Sequence, residues 1–485
     1  MRRRADSNCN NTETGAKTRA IGNGAVPFRV HADLNSKSIY LDFNATTPLA
    51  PSVLDAIYAT LKYAWGNPSS SYKEGRMAKE IIDESRSHVA RMIGGFATEI
   101  VFTSGGTEAN NMVFHSVIRN FKRLSAESQA QNMTCERPHV ITSNIEHDSV
   151  ILALMSWEKA GEIELTEVPV SKKTGQVNVE DVMLAIKQNT VLVSIMFANN
   201  ETGVIQPIEK ISESVRIKNI SRQKDNLPRV YLHTDAAQAI GKIPVDSSLL
   251  NVDYLTIVGH KFYGPRIGAL FVHKLGTENS SPLFPIFYGG GQERNYRPGT
   301  ENTGMIAGLG EACRLVTENL DSYMNHMQKA RDYLENQLEI EFRGCININN
   351  RFKCSRRLPN TCNVSILGKN LQGRKVLAAA KYLQASVGAA CHSNNGDKPS
   401  HILTACGIPE EIAKNALRLS IGRETTENDI DLVVQDLKDA ILDYKTTTAK
   451  HQNTYLQKLI FSKQRKALGD LTYHIFSSLM NMPKN

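Results

Sequence analysis

Residues 230–238 read VYLHTDAAQ, and residues 254–261 read YLTIVGHK. Each stretch is an apolar run that ends near a side chain able to do chemistry, Asp235 in the first and Lys261 in the second. Continuous apolar runs are typical of parallel strands buried on both faces, and such sheets bind ligands at the carboxyl ends of their strands. Helical patterns separate these runs from others, so the sequence predicts an α/β fold with a mostly parallel sheet. The other runs lie at 100–103, 139–142, 191–198 and 268–272.

The composition is that of an ordinary folded protein. The chain has 485 residues, of which 41% are hydrophobic and 22% charged, and its formal net charge is +8. These values exclude a disordered chain, collagen and a small disulfide scaffold. The positive charge is concentrated in 1–37 and 445–485, so we expect no nucleic-acid partner for the body between them. We also expect no transmembrane segment, because no apolar run approaches the roughly 20 residues of a membrane span.

Cysteine usage and the N-terminus bear on the compartment. The eight cysteines are scattered and form no CxxC pair, which indicates a reducing compartment and argues against a disulfide framework or a metal site. The first residues lack the apolar core of a secretory signal. We therefore expect a cytoplasmic protein. A mitochondrial presequence is the alternative, which Asp6 and Glu13 disfavour because such presequences are poor in acidic residues.

The chain divides into five expected segments. The first is a polar tail without periodicity, which we expect to be disordered. It is followed by an N-terminal segment of a small domain, a large domain, a small α+β C-terminal domain and a basic amphipathic tail. In chain order the five segments lie at 1–37, 38–50, 51–320, 321–447 and 448–485. A long amphipathic helix is predicted from near residue 303 to beyond residue 335. The polar segments 121–137 and 216–228 are predicted to be surface loops.

Residues 101–111 read VFTSGGTEANN, which predicts a strand, a glycine turn and the start of a helix. The backbone N–H groups at a helix start, together with the hydroxyl group of Thr107, suit a bound phosphate. A simple glycine turn with Thr107 as helix cap is the alternative. The stretch matches neither GxGxxG nor GxxxxGK[ST], so it does not indicate a dinucleotide or a P-loop nucleotide.

Asp235 and Lys261 each allow a chemical and a structural interpretation. A carboxylate at a buried strand end pairs with a cation, a metal or a protonated heterocycle, or it simply caps a helix. A lysine at such an edge is desolvated into a nucleophilic amine, or it extends its charge to the surface. Combined with a phosphate site, the two residues match what pyridoxal phosphate requires. The amine of Lys261 would bond to the cofactor, and Asp235 would keep its ring nitrogen protonated.

Nine blocks of sequence, in order, resemble the class V aminotransferase-like, NifS-type family of pyridoxal-phosphate enzymes. The resemblance spans roughly residues 38–447 and leaves both tails outside. It implies a fold-type I pyridoxal-phosphate-dependent transferase. The blocks lie at 40–48, 65–70, 103–111, 143–149, 198–203, 233–238, 259–265, 289–303 and 388–393.

The resemblance also implies roles for single residues. Cofactor contacts would come from Gly106, Thr107, His147, Asn200, Asp235, Gln238, His260, Lys261 and Thr300. His147 would stack on the cofactor ring and relay protons. Arg418, with Asn200, would bind the substrate, and its planar guanidinium would clamp the α-carboxylate with two parallel hydrogen bonds.

The segment 289–300 resembles one that crosses to a partner subunit, where Thr300 would reach the neighbour's phosphate. A homodimer with shared sites is therefore implied, and an ordinary solvated loop is the alternative. The family often has a hydroxyl residue two positions before the histidine of Gly259-His260-Lys261, and this chain has Val258 there. Phosphate binding is therefore expected to depend on Gly106, Thr107, His260 and Thr300.

Cys391 lies in the stretch GAACHSNNG at 388–396. Small and polar neighbours favour an accessible thiol on a loop, while a small buried side chain is the alternative. By resemblance, Cys391 is catalytic with Lys261 and His147. The form of this block is closer to the family branch that converts selenocysteine to alanine and selenium than to the cysteine desulfurases. Desulfuration of cysteine is the alternative activity, and a selenium or sulfur acceptor protein is a possible partner of either.

Overall fold

The computed structural model describes residues 38–129, 137–388, 398–444 and 446. Its main sheet has seven strands in the order β2-β8-β7-β6-β5-β3-β4. The strands are β2 (Ile100–Thr103), β3 (His139–Ser143), β4 (Glu164–Val168), β5 (Thr190–Ser194), β6 (Tyr231–Asp235), β7 (Tyr254–Val258) and β8 (Gly268–Val272). All except β4 are fully or almost fully buried, which is why their sequences are continuous apolar runs rather than alternating ones.

Strands β7, β6, β5, β3 and β4 run parallel to one another. Strand β8 runs antiparallel to both β2 and β7. The prediction of a mostly parallel α/β sheet is therefore confirmed, with β8 as the reversed strand of the described sheet. The reversal follows from chain length, because the residues between β7 and β8 are too few for the crossover that a parallel pair needs.

Helices cover the sheet. They are α1 (Pro51–Tyr63), α2 (Lys73–Met92), α3 (Gly106–Gln129), α4 (Asp148–Lys159), α5 (Val179–Leu184), α6 (Ile208–Lys224), α7 (Ser247–Leu250) and α8 (Thr303–Glu341). The long helix predicted from near residue 303 is confirmed as α8. The predicted surface loops are wrong for 121–129 and 216–224, which form the last turns of α3 and α6. These turns are polar because they face solvent, so they lack the apolar stripe that would have indicated a helix.

A second layer of structure follows α8. Strands β9 (Ile346–Ile348), β10 (Thr361–Ile366) and β12 (Ala416–Ser420) form an antiparallel sheet. The N-terminal β1 (Ile39–Tyr40) pairs with β11 (Leu383–Gln384). The short helices α9 (Gly373–Ala379), α10 (His401–Ala405) and α11 (Glu410–Ala413) and a helical stretch at 427–444 complete the described part.

Separate hydrophobic cores lie under the seven-stranded and the three-stranded sheet, and α8 contributes to both. Ile306 and Leu309, in its first turns, are buried beside the seven-stranded sheet, while Leu334 and Leu338 are buried beside the three-stranded sheet. Within the described residues, no helix is both long enough and apolar enough to cross a membrane.

Candidate active site

A cavity of about 270 Å³ opens at the carboxyl ends of β6 and β7. Its walls come from the first turn of α3, the residue before α4, the loop after β5, strand β12 and the segment after β1. Nine of the residues that the sequence predicted for the site line it: Gly106, Thr107, His147, Asn200, Asp235, Gln238, His260, Lys261 and Arg418. The sheet topology brings these residues together, since parallel strands end at one edge.

Two predicted site residues are not placed in this cavity. Thr300 is exposed, and it does not line the cavity of its own chain. Cys391 lies outside the described residues, so its catalytic role stays a prediction.

Asp235 is buried where β6 ends, with 7% of its surface exposed. One carboxylate oxygen accepts a hydrogen bond from Asn110 Nδ2 at 3.0 Å, and the other accepts one from the backbone N–H of Ala237 at 2.9 Å. The Asn110 amide is oriented in turn by Thr256, whose hydroxyl donates to Asn110 Oδ1 at 2.7 Å. Asp235 therefore presents a carboxylate of defined orientation to the cavity, where it could pair with a protonated heterocycle.

Lys261 lies in a short 3₁₀ turn directly after β7. Its Nζ donates hydrogen bonds to the backbone carbonyls of Asn44 at 2.9 Å and Ala45 at 2.8 Å. Because both acceptors line the cavity, the amine is directed into the site and not toward the protein surface. The sequence did not indicate these two contacts, since Asn44 and Lys261 are 217 positions apart.

His260 contacts Thr46 Oγ1 through Nδ1 at 3.0 Å. Burial lowers the pKa of His260 to about 4, and the positive charges of Lys261, Arg266 and Lys242 act in the same direction. His260 is therefore a neutral imidazole at physiological pH in this structure. It could serve a phosphate as a hydrogen-bond donor.

His147 caps the N-terminus of α4. Its Nδ1 accepts the backbone N–H of Ser149 at 3.1 Å, so in the neutral ring the proton is on Nε2. Ser149 also receives a hydrogen bond from Asn110 Nδ2 at 2.9 Å. Asn110 therefore connects Ser149, which binds His147, to Asp235. Sequence analysis missed this role, although Asn110 lies within the glycine-turn stretch at 101–111.

Beside His147, Glu146 is buried with 3% of its surface exposed. It accepts hydrogen bonds from the hydroxyl of Ser143 and the backbone N–H of Met196. Burial raises the pKa of Glu146 to about 8 despite these bonds, and the charge of Asp235 adds to the increase. Glu146 therefore holds a proton more readily than an exposed carboxyl group, and its hydrogen bonds to Ser143 and Met196 position the loop before α4.

Arg418, on β12, is 1% exposed. Its Nη2 pairs with Asp42 at 2.6 Å and its Nη1 donates to the carbonyl of Asn200 at 3.1 Å, while Nε has no hydrogen-bond partner among the described residues. A buried unsatisfied donor on a cation costs free energy. The wall formed by Arg418 therefore suits an anionic group, such as a carboxylate.

The residues present fit pyridoxal phosphate. The turn before α3 offers backbone N–H groups, and a Cβ added at Gly106 would come within 2.6 Å of Val258 Cγ2, so this close contact of α3 with β7 requires glycine. Val258 is thus a packing partner of the turn. With a carboxylate at Asp235, an amine at Lys261 and neutral His260, the donor set matches the phosphate, ring nitrogen and aldehyde of the cofactor.

Comparison with known proteins gives a consistent result. The family model for aminotransferase class-V proteins matches residues 39–433. A selenocysteine lyase of Xenopus laevis is 56% identical over 407 residues, which cover 84% of this chain and 95% of the relative. A cysteine desulfurase, IscS, of Dictyoglomus turgidum is 36% identical over 425 residues, which cover 87% and 99%. The solved structure of a NifS-like protein superposes with a TM-score of 0.72 at 31% identity, covering 84% of this chain and all of that chain.

Proposed function

The chain belongs to the aminotransferase class-V family, and from this premise we propose that it is a selenocysteine lyase, which converts L-selenocysteine to L-alanine and releases the selenium. It is a pyridoxal-phosphate-dependent enzyme of fold-type I. The observation that carries the choice of substrate is the difference in similarity. The chain is 56% identical to a selenocysteine lyase and 36% identical to a cysteine desulfurase over similar lengths.

When bound, pyridoxal phosphate withdraws electrons from the Cα of the amino acid. The first turn of α3, with Gly106 and Thr107, would hold its phosphate, and neutral His260 would donate a further hydrogen bond. Asp235 would keep the ring nitrogen protonated, because a buried carboxylate favours the charged form of a nearby cation. His147 would cover the ring.

The substrate would be bound through its α-carboxylate, and Lys261 would transfer its protons. Arg418 would bind the α-carboxylate. For this, the Nη atoms of Arg418 must give up part of their hydrogen bonding to Asp42 and Asn200. The Lys261 amine would take the proton from Cα and return one to the alanine product. Cys391 would accept the selenium or supply a proton as selenium leaves Cβ.

The alternative is cysteine desulfurase activity, supported by the desulfurase and NifS-like relatives. In that case Cys391 would attack the sulfur of the substrate and carry it to an acceptor protein. The two activities share every described cavity residue. The two activities differ in how strongly the departure of the leaving group from Cβ depends on the Cys391 thiolate. A selenol is more acidic than a thiol and therefore leaves more readily.

We expect selenocysteine to be strongly preferred when alanine release from selenocysteine and from cysteine is measured side by side. The Cys391→Ser variant should lose cysteine turnover and retain some selenocysteine turnover. Sulfur and selenium differ too little in size for the cavity alone to discriminate, so the preference should appear in kcat and not only in KM. Comparable turnover of both amino acids by the unmodified enzyme would reject the lyase assignment in favour of the desulfurase.

The proposal includes a homodimer. Support comes from an exposed apolar face on α1, where Leu54, Tyr58 and Leu61 recur at helical spacing and are each more than half exposed. Phe287 and Tyr288, which are also exposed, precede the glycine-rich stretch that leads to Thr300. Apolar patches of this kind are typical of subunit interfaces. Thr300, which is exposed and outside its own cavity, would complete the partner's phosphate site.

We expect activity to be restored when two defective chains are mixed. A Lys261→Ala chain and a Thr300→Ala chain, each impaired as a homodimer, form a mixed dimer in which one of the two sites has both residues. That dimer should recover up to about half of the unmodified turnover. Size-exclusion chromatography with two different tags would verify that mixed dimers form. No recovery in verified mixed dimers would contradict shared sites.

We also propose that the chain divides at residue 320 into a large and a small domain, which the two separate cores support.

A cytoplasmic location is proposed as well. For the location, the support is that Cys313, Cys345, Cys354, Cys362 and Cys406 are free, as expected in a reducing compartment. Fluorescence of the full-length chain fused to a C-terminal tag would test the location against the mitochondrial alternative.

A further inference from the structure

Lys242 is a buried lysine that the chemistry above does not use. Only 3% of its surface is exposed, and it follows Gln238 by four residues in the turns after β6. Its Nζ donates to the side-chain oxygen Oε1 of Gln238 at 2.8 Å and to the backbone carbonyl of the same residue at 3.2 Å. These neutral oxygens are its partners, and no carboxylate among the described residues accompanies them.

This arrangement is costly for the folded protein. An ammonium group taken out of water needs a compensating carboxylate, and Lys242 has none in the described part of the chain. Burial lowers the pKa of Lys242 well below its usual value, and the positive charges of Lys261, Arg418 and Arg423 act in the same direction. A buried lysine that lowers the stability of the fold in this way indicates a role other than stabilisation.

The contact with Gln238 supplies a reason. Gln238 Nε2 donates to the backbone carbonyl of Asn44 at 2.9 Å, and the same carbonyl accepts a hydrogen bond from Lys261 Nζ. A carbonyl can only accept, so the amide nitrogen of Gln238 must face Asn44. Lys242 binds the amide oxygen on the other side. The amide is thus held in one orientation, with its N–H₂ group directed to the wall of the cavity.

We propose that Lys242 is a positioning residue that orients the Gln238 amide as a hydrogen-bond donor toward the cofactor site. The inference rests on the proposed function and on the role that the family resemblance implies for Gln238, a contact with the cofactor at its ring hydroxyl. A donor oriented in advance stabilises an oxyanion on the cofactor ring without rotation of the amide at the moment of binding. Lys242 itself does not line the cavity, so it acts through Gln238 and not by direct contact.

The experiment measures the affinity of the apoprotein for pyridoxal phosphate, by absorbance titration, together with the melting temperature of the apoprotein. Lys242→Met preserves the apolar stem and removes the donor. We expect the dissociation constant to rise about tenfold, as for loss of one oriented hydrogen bond to a charged group. The melting temperature should stay level or rise, because the uncompensated buried amine is gone. Lys224→Met, at an exposed lysine at the end of α6, is the matched control and should change neither quantity.

A double-mutant comparison separates positioning from general damage. Gln238→Ala should weaken cofactor binding about tenfold by itself, and adding Lys242→Met to it should have no further effect. Unchanged affinity in Lys242→Met, an equal loss on both backgrounds, or a lower melting temperature would overturn the inference. Unchanged affinity in Gln238→Ala would instead reject the proposed role of Gln238, and the inference with it. Lys242→Leu, which also lacks a donor, serves for the same comparison if Lys242→Met does not fold.

Discussion

A Lys261→Ala variant is expected to turn over selenocysteine about 10⁴-fold more slowly than the unmodified enzyme, or slower still. The structure directs one amine into the cavity, held by the carbonyls of Asn44 and Ala45, and no second lysine lines the described cavity. Alanine can neither bond to the cofactor nor move the Cα proton. Purified variant protein should therefore lack the visible absorbance of cofactor joined to the lysine.

Lys261→Arg is the informative companion variant. Arginine keeps a positive charge that can bond to the same carbonyls, but it stays protonated and cannot act as an amine nucleophile. We expect it to be as inactive as Lys261→Ala, which would show that the amine chemistry and not the charge is required. Lys224→Ala, at an exposed position, should behave like the unmodified enzyme. A loss of less than about 10²-fold in either Lys261 variant would refute the assignment of this residue.

Asp235→Asn is expected to lower kcat by about 10²–10³-fold while leaving the cofactor bound. The substitution preserves the size of the side chain, and the backbone N–H of Ala237 can still bond to its oxygen. The lost negative charge is what matters, because a neutral amide does not keep the ring nitrogen protonated and the ring then accepts electrons poorly. Rate measurements at saturating substrate, with cofactor content determined on the same samples, would check this expectation.

Asp253→Asn is the matched control. Asp253 is also a buried carboxylate next to the sheet, but it precedes β7 and binds Arg229, Ser281 and the backbone N–H of Leu232. Its removal should lower the melting temperature and leave kcat per cofactor-loaded molecule unchanged. If Asp235→Asn shows only that pattern, then Asp235 is a structural residue and its proposed role is wrong.

Part of the site could be predicted because local sequence carries it. Asp235 and Lys261 come within a few residues of apolar runs, and parallel strands place such residues at one edge. The direction of β8 and the edge strand β4 were not predicted. Direction depends on the length of the connection to β7, and β4 is half exposed, so its sequence lacks a continuous apolar run. The last turns of α3 and α6 were missed because they face solvent on most sides.

The sequence by itself determined the fold class, the cofactor and nine residues of the cavity wall. Asp235, Lys261, Gly106 and Thr107 were found from short motifs beside strands and a helix start, and the other five through the family resemblance. Only the tertiary structure decided how those residues are held. Asn44 binds Lys261, Asn110 binds Asp235, and Lys242 orients Gln238 from behind. The first two contacts join residues more than a hundred positions apart, and the third follows from burial that the sequence does not display. Such contacts arise from packing between elements, which the pattern of a single segment does not contain.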